Sequence, residues 1–199
     1  MGMVFGKIGV ETPKYDVVSS NNDYEIRQYP PAVVAEITYD PAQLKNDKDA
    51  GFPILANYIG AFGKAQNTKA ESIAMTTPVI TKAPPPSEKI AMTVPVVTKS
   101  GGELVTMGFI LPSTYVKAED APRPVDERVV IREEEGKKYA VVTFSGVAGE
   151  KVVAEKVKKL TEFLERDGCK AAGDFVLARY NPPWTLPPFR KNEVRIPVE

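Results

Sequence analysis

The stretch EIRQYPPAVVAEITY at residues 25–39 returns in altered form as VIREEEGKKYAVVTF at residues 130–144. A shift of 105 residues superimposes the two stretches. Both are rich in β-branched residues and alternate apolar with polar side chains, a pattern typical of half-buried strands. Breaks at Pro30-Pro31 and Glu135-Gly136 predict that each stretch folds as a β-hairpin.

The same shift relates two helical segments, about Asp49–Ala65 and Gly149–Asp167. The second is the clearer helix, because its apolar residues recur on one stripe. Two pairs of opposite charge, Glu155–Lys159 and Glu162–Arg166, stand four residues apart on its surface,. Gly168 follows where a left-handed residue often ends a helix.

Further strands follow each helix, so each half is predicted to fold as ββαββ. The pseudo-repeats cover about residues 15–114 and 125–199 of a single domain, residues 1–199. Two such units related by a pseudo-twofold axis would join their strands into one sheet. The sequence therefore predicts an α+β fold, a distorted, largely antiparallel β-barrel with two flanking helices.

A second, local duplication lies in the first half. The segment Ile73–Lys82 recurs as Ile90–Lys99 with eight of ten positions identical, and a proline-rich stretch separates the copies. Proline lacks the N–H that a sheet ladder needs, so Pro78 and Pro95 confine their strands to sheet edges or strand ends. We expect an extended hairpin at the edge of the sheet.

Composition excludes several classes of protein. The chain has 199 residues, 43% of them hydrophobic, and its 26 basic and 26 acidic residues cancel. A neutral chain has no global field that attracts nucleic acid. No stretch reaches the roughly 18 apolar residues of a membrane span, a signal peptide is not evident, and Gly6 replaces the Ser or Thr of a myristoylation signal,. We expect a cytoplasmic protein without membrane insertion or a nucleic-acid partner.

The chain contains no histidine and one cysteine, Cys169. Histidine-based catalytic triads, the common zinc sites and a histidine-ligated haem iron are therefore excluded. A lone cysteine forms no intramolecular disulfide, which fits a reducing compartment. No spacing gathers the remaining acids, lysines and tyrosines into a catalytic group, so we expect neither an enzyme nor a metal held by the protein.

The first helix differs from the second in its outward face. Between residues 52 and 63 the only strongly polar side chain is Asn57, and a helix that is apolar all round must be covered by something. Small residues on one side would form a smooth plate suited to a flat ligand; they are Pro53, Ala56, Gly60 and Gly63.

Two interpretations of this plate remain open. The C-terminal loop, residues 182–189, could pack over it, or the loop could form the opposite wall of a cleft through Trp184, Leu186 and Phe189,. Nearby cations could pair with carboxylates of a ligand at the rim; they are Lys48, Lys64, Arg190 and Lys191.

Five motifs in fixed order carry a resemblance to a known family. They are YEIR at 24–27, IAMTTPV at 73–79 with its copy IAMTVPV at 90–96, TMGFILPS at 106–113, RYNPP at 179–183 and RKNE at 190–193. In this order and spacing the chain resembles the SOUL/haem-binding protein family. The doubled motif is more similar to plant and bacterial members than to animal ones, and we expect a cytosolic member of the plant type.

The resemblance implies that the chain binds haem or another tetrapyrrole in an open hydrophobic cleft beside the first helix. In that helix, animal members have methionines where this chain has Phe52 and Ala56, and basic residues where it has Asp49 and Asn57. They have another lysine near the position of Thr185-Leu186. The residues expected to contact the ligand are Asp49, Phe52, Pro53, Ala56, Asn57, Ile59, Gly60, Gly63, Trp184 and Leu186.

Without a histidine ligand, binding would rest on apolar burial and charges at the rim, so iron-free porphyrin should bind about as well as haem. Such an exchangeable ligand suits a monomeric carrier or buffer that serves haem-handling proteins. The alternative is a regulatory or scaffold domain whose apolar helix recognises a protein partner or another amphipathic molecule, with no affinity for porphyrin.

Overall fold

The computed structural model describes residues 6–44, 47, 49–82, 104–182 and 184–199. The helices in these residues are α1 (Gly51–Ile59) and α2 (Glu150–Arg166). Short 3-10 turns lie at Pro41–Leu44, Ala118–Asp120 and Pro187–Phe189. The strands are β1 (Asp16–Ser20), β2 (Glu25–Tyr29), β3 (Ala32–Tyr39), β4 (Val79–Lys82), β5 (Val105–Ile110), β6 (Val129–Glu134), β7 (Lys137–Ser145), β8 (Val176–Arg179) and β9 (Lys191–Pro197).

These strands form one sheet in the order β1-β2-β7-β9-β8-β4-β5-β3-β6. Every neighbouring pair is antiparallel. The sheet curls into a half-barrel, and both helices pack on the same face, which we call the helix face. The other we call the inner face. The predicted fold class, an α+β distorted barrel flanked by two helices, is confirmed.

The two predicted hairpins are wrong, although their strands are present. Strand β2 pairs with β7, where Ile26 lies opposite Ala140, and β3 pairs with β6, where Ala35 lies opposite Ile131. Consecutive prolines favour an extended backbone over a tight turn, so the chain continues through Pro30-Pro31 and the strands exchange between halves. The registers match the 105-residue shift, and the duplication itself stays a prediction.

Helix α1 is shorter than predicted because it ends at Ile59 rather than near Ala65. Gly60 adopts a left-handed conformation with φ of 81°, and its N–H points to the carbonyl oxygens of Ala56 and Asn57. A Cβ at position 60 would lie 3.0 Å from the Cβ of Ala65. Glycine at this position therefore terminates the helix and lets the chain turn back closely.

Helix α2 agrees with its predicted bounds, and Gly168 follows it with φ of 68°. The ammonium of Lys159 lies 2.9 Å from the carboxylate of Glu155, as expected. Arg166 instead contacts Asp23 and Asp167, at 2.9 and 2.7 Å. Neither helix of the described residues is long and apolar enough to cross a membrane.

The first copy of the local duplication does not form an edge hairpin. Strand β4, from this copy, lies in the middle of the sheet between β8 and β5. Pro78 stands just before the strand, so the missing N–H breaks no ladder bond within it,. The second copy, Ile90–Lys99, lies outside the described residues.

Each helix covers its own part of the helix face. Leu55 and Ile59 of α1 pack into a core that includes strands β3 and β5, and Leu160 and Leu164 of α2 pack over β7 and β9. A third, smaller core lies on the inner face around Ile80. The helices are thus held by apolar burial against the sheet, the main source of helix stability in proteins.

Candidate functional site

The small-residue plate predicted on α1 is only partly exposed. Ala56 and Ile59 are 0% and 2% exposed and belong to the core beneath the helix. The comparison with the charged face of α2 suggested that Ala56 faces outward, but its small side chain lets α1 approach the sheet. Pro53 and Gly63 are exposed, and Phe52, Asn57 and Gly60 are half-buried.

An aromatic row leads from the core to the surface at α1. The ring centroids of Phe109 and Phe52 are 5.4 Å apart, and those of Phe52 and Phe62 are 6.4 Å apart. Phe62 is 62% exposed. Phe62 was not among the predicted ligand contacts, although it lies in the same apolar stretch. We call Phe52, Pro53 and Phe62 the α1 apolar surface.

The C-terminal loop is held on the part of the sheet that carries α2. The side-chain amide of Asn181 donates to the carbonyl of Gly6 at 3.3 Å, and the N–H of Gly146 donates to the carbonyl of Pro187 at 3.0 Å. Trp184 and Leu186 are 60% and 45% exposed. The hydrogen bond between Gly146 and Pro187 anchors the loop at the connection between β7 and α2, whereas α1 packs on β3, β5 and β6.

The predicted basic partners are placed differently from one another. Lys48 lies outside the described residues, and Lys64 is exposed just after α1. The Nε of Arg190 donates to the carbonyl of Thr185 at 2.7 Å. The ammonium of Lys191 lies 3.1 Å from Glu193, on the inner face. Of these four, Lys64 is the described cation beside the α1 apolar surface.

A further cation near α1 is Arg179, which the sequence analysis missed. Its Nη2 lies 2.6 Å from the carboxylate of Asp49 and 3.3 Å from the hydroxyl of Thr81. Its Nε is buried and has no hydrogen-bond partner among the described residues. An unpaired buried donor costs about 1–3 kcal/mol. The only sequence signal was its position in the RYNPP motif.

Arg179 and the aromatic row share one face of the sheet. Val79 of β4 lies opposite Arg179 on one side and opposite Phe109 on the other. Residues directly opposite in antiparallel strands point to the same face. The backbones of Arg179 and Phe109 are therefore two strand spacings apart, about 10 Å. Phe52 packs on Phe109.

The inner face carries a buried ionic network. Glu193 is 0% exposed, and its carboxylate accepts hydrogen bonds from Arg27 at 2.9 Å, Arg195 at 2.7 Å and Tyr180 at 2.8 Å. Burial alone would raise the pKa of Glu193, but Arg195 and Lys191 outweigh it and lower the pKa to about 2. Each oxygen of this carboxylate is paired, which indicates a structural role.

A cavity of about 620 Å³ opens at one end of the inner face. Its volume is within the usual range for small-molecule pockets. Charged side chains that pair locally contribute much of its lining: Lys82 contacts Glu134, and Lys138 contacts the carbonyl of Glu199. The cavity is thus distinct from the apolar surface of α1, which lies on the opposite face.

These features define an α+β domain with a curled antiparallel sheet and an apolar surface on one of its two helices. The family model described as SOUL heme-binding protein matches residues 10–197. The chain therefore belongs to the SOUL haem-binding protein family, and the resemblance found in the sequence motifs is confirmed.

Solved structures with the same fold are distant in sequence. A hydrolase from Listeria innocua is 15% identical with a TM-score of 0.55, covering 92% of this chain and 94% of that chain. The C-terminal domain of EcmrR is 11% identical with a TM-score of 0.56, covering 93% of this chain and 98% of that chain. At this identity the likeness concerns the fold alone. The search of curated proteins gives no match.

Proposed function

We propose that the chain binds haem or iron-free porphyrin as an exchangeable ligand on the α1 apolar surface. Family membership supports a tetrapyrrole as the ligand. The observation that carries the location is the exposure of Phe62 beside Phe52, which joins the surface to the core through Phe109. An exposed apolar patch of this kind typically marks a binding surface.

The residues fit the macrocycle better than they fit the iron. Aromatic rings stack on flat ligands in offset or edge arrangements, and Phe52 and Phe62 offer two such rings. The chain has no histidine, so histidine does not ligate the iron. Micromolar affinity needs about −8 kcal/mol, and partial burial of a macrocycle at roughly 25 cal/mol per Å² supplies energy of that order after association costs.

The test compares two substitutions at equally exposed apolar residues. Phe62→Glu places a charge on the α1 apolar surface, and the matched control Val18→Glu places one on β1, where Val18 is 58% exposed. Each protein is titrated with haem and with iron-free protoporphyrin, following Trp184 fluorescence and the Soret band.

We expect both ligands to bind the unmodified chain with micromolar affinity and Phe62→Glu to weaken both by about tenfold or more, while Val18→Glu changes neither. If neither ligand binds the unmodified chain, the proposed function is wrong, and a protein partner becomes the better candidate. If Phe62→Glu binds like the control, the location is wrong.

A weakly held ligand suits a carrier or buffer in the cytoplasm better than a redox protein. Haem held by apolar contact should leave quickly and pass to an acceptor with a histidine ligand. Stopped-flow transfer of haem to an apo-globin tests this: a carrier releases haem within seconds, at a rate independent of the acceptor concentration. Haem that stays bound for hours would contradict a carrier role.

A further inference from the structure

We propose that Asp49 is an internal competitor for the ligand's carboxylate, and that a carboxylate at the edge of the macrocycle displaces Asp49 from Arg179. This inference rests on the proposed function, because it assigns the polar contact of the same site. It reverses the role expected for Asp49 in the sequence analysis, from a ligand contact to a group that leaves on binding.

The first support is the incomplete pairing of Arg179. A guanidinium binds a carboxylate best through two parallel N–H bonds. Asp49 engages Nη2 at 2.6 Å, while the adjacent Nε has no partner in the described part of the chain. The side of the guanidinium formed by Nε and Nη2 is therefore half-used, and a carboxylate that replaces Asp49 can engage both donors once the atoms that cover Nε move aside.

The second support is the exposure of the competitor. The side chain of Asp49 is 57% exposed, whereas that of Arg179 is 27% exposed. An ion pair with one partner so open to water contributes little to stability. Asp49 lies two residues before α1, and its carbonyl accepts the N–H of Phe52 at 2.9 Å. Rotation of its side chain can break the ion pair without disturbing that backbone contact.

The third support is the position of Arg179 relative to the apolar surface. Phe52 packs on Phe109, Phe109 lies opposite Val79, and Val79 lies opposite Arg179. Val79 itself is buried, so a flat ligand that rests on Phe52 would reach Arg179 past the start of α1, where Asp49 lies, and present an edge carboxylate there. The exchange replaces one carboxylate by another and moves no proton.

The experiment compares protoporphyrin with its dimethyl ester, which keeps the macrocycle and lacks both carboxylates. The variants are Asp49→Asn, Arg179→Gln, Arg179→Lys and the double variant of Asp49→Asn with Arg179→Gln. Asp47→Asn is the matched control, because Asp47 is an exposed acid near the same helix and asparagine keeps the side-chain oxygen that accepts the N–H of Asp49 at 2.8 Å. Urea unfolding of each variant confirms that the protein remains folded before its affinity is compared.

We expect Asp49→Asn to bind the free acid several-fold more tightly and Arg179→Gln to bind it about tenfold more weakly. Arg179→Lys should recover only part of the loss, because an ammonium lacks the two-donor fork. The double variant should bind like Arg179→Gln alone, since Asp49 acts through Arg179. None of these changes should affect the ester.

The inference is overturned if Asp49→Asn and Asp47→Asn strengthen binding equally, which would reflect net charge alone. It is also overturned if the ester responds to Arg179→Gln as the acid does. In both cases sensitivity to Phe62→Glu would leave the proposed function standing. If neither acid nor ester binds the unmodified chain, both proposals fall.

Discussion

Helices α1 and α2 occupy comparable places on the sheet but carry different outward faces. The 105-residue shift places Leu55 on Leu160 and Ile59 on Leu164, and all four side chains are at most 2% exposed. Helix α1 contacts β3, β5 and β6, and α2 contacts β7 and β9, all on the helix face. The buried positions agree because each must fill the space between a helix and the same kind of sheet.

The exposed positions follow no such constraint. Helix α2 has 17 residues and carries ion pairs such as Glu155–Lys159, whereas α1 has nine residues and exposes Pro53. The chain after α1 then exposes Phe62, whereas the 105-residue shift places the charged Asp167 at the equivalent position after α2. A surface that packing does not fix is free to acquire a ligand, so the difference between the helices points to the candidate site.

The largest expected effect concerns the acids on the inner face of the two halves. Glu193→Gln should lower the free energy of unfolding by about 3–5 kcal/mol, because it leaves Arg195 as an uncompensated buried charge and leaves Arg27 with Glu25 as its remaining acidic partner,. Glu36→Gln should cost about 1 kcal/mol, since its partners Arg132 and Lys82 are 63% and 35% exposed,. Urea unfolding measures both, and equal losses would contradict the distinction.

The contribution of Glu193 to the free energy of unfolding should also depend on pH. The pKa of Glu193 lies at about 2 in the folded chain, below its ordinary value of 4.5, so its contribution is present above the ordinary value. That contribution should decline as pH falls from about 4.5 toward 2. The slope of unfolding free energy against pH in this window should flatten in Glu193→Gln, and an unchanged slope would exclude Glu193 as the source.

Truncation of the equivalent buried leucines tests whether the two helices are packed alike. Leu55→Ala and Leu160→Ala each remove a side chain that is 0% exposed. Each should lower the free energy of unfolding by about 2–5 kcal/mol, through lost burial and the cavity left behind. Denaturant titration should give losses within about 1 kcal/mol of each other, and a much larger difference would show unequal anchoring.

The glycines that follow the helices should separate them by a smaller amount. Gly60 and Gly168 have φ of 81° and 68°, so alanine is strained at both,. A Cβ at Gly60 would also meet Ala65 at 3.0 Å, whereas nothing lies within 4 Å at Gly168. Gly168→Ala should cost about 1 kcal/mol, and Gly60→Ala about 2. Thermal unfolding measures both losses of stability. Equal losses would show that the contact with Ala65 does not contribute to the cost at Gly60.

Much of the fold could be predicted because strand alternation and helix periodicity are local properties. The pairing of β2 and β3 could not, since the same alternation suits a hairpin and an exchange between halves. The end of α1 was misplaced for a related reason. Gly60 is compatible with a helix interior at some cost, and only the close return of Ala65 requires its left-handed conformation.

The site was predicted in part for similar reasons. The apolar stretch after residue 51 located the surface, but sequence comparison with α2 could not tell that Ala56 faces the core. Arg179 was missed because its significance depends on contacts across the sheet. Its unpaired Nε and its pairing with Asp49 arise only when β8 and the start of α1 come together.

The most direct test of the central claim is to map the ligand on the protein. Isotope-labelled chain is titrated with iron-free protoporphyrin, and backbone amide shifts are recorded by NMR. The account predicts changes concentrated at Phe52–Gly63 and near Arg179, with the amides of α2 unchanged. Changes confined to α2, or to inner-face cavity residues such as Lys137 and Val176, would contradict a tetrapyrrole site on α1.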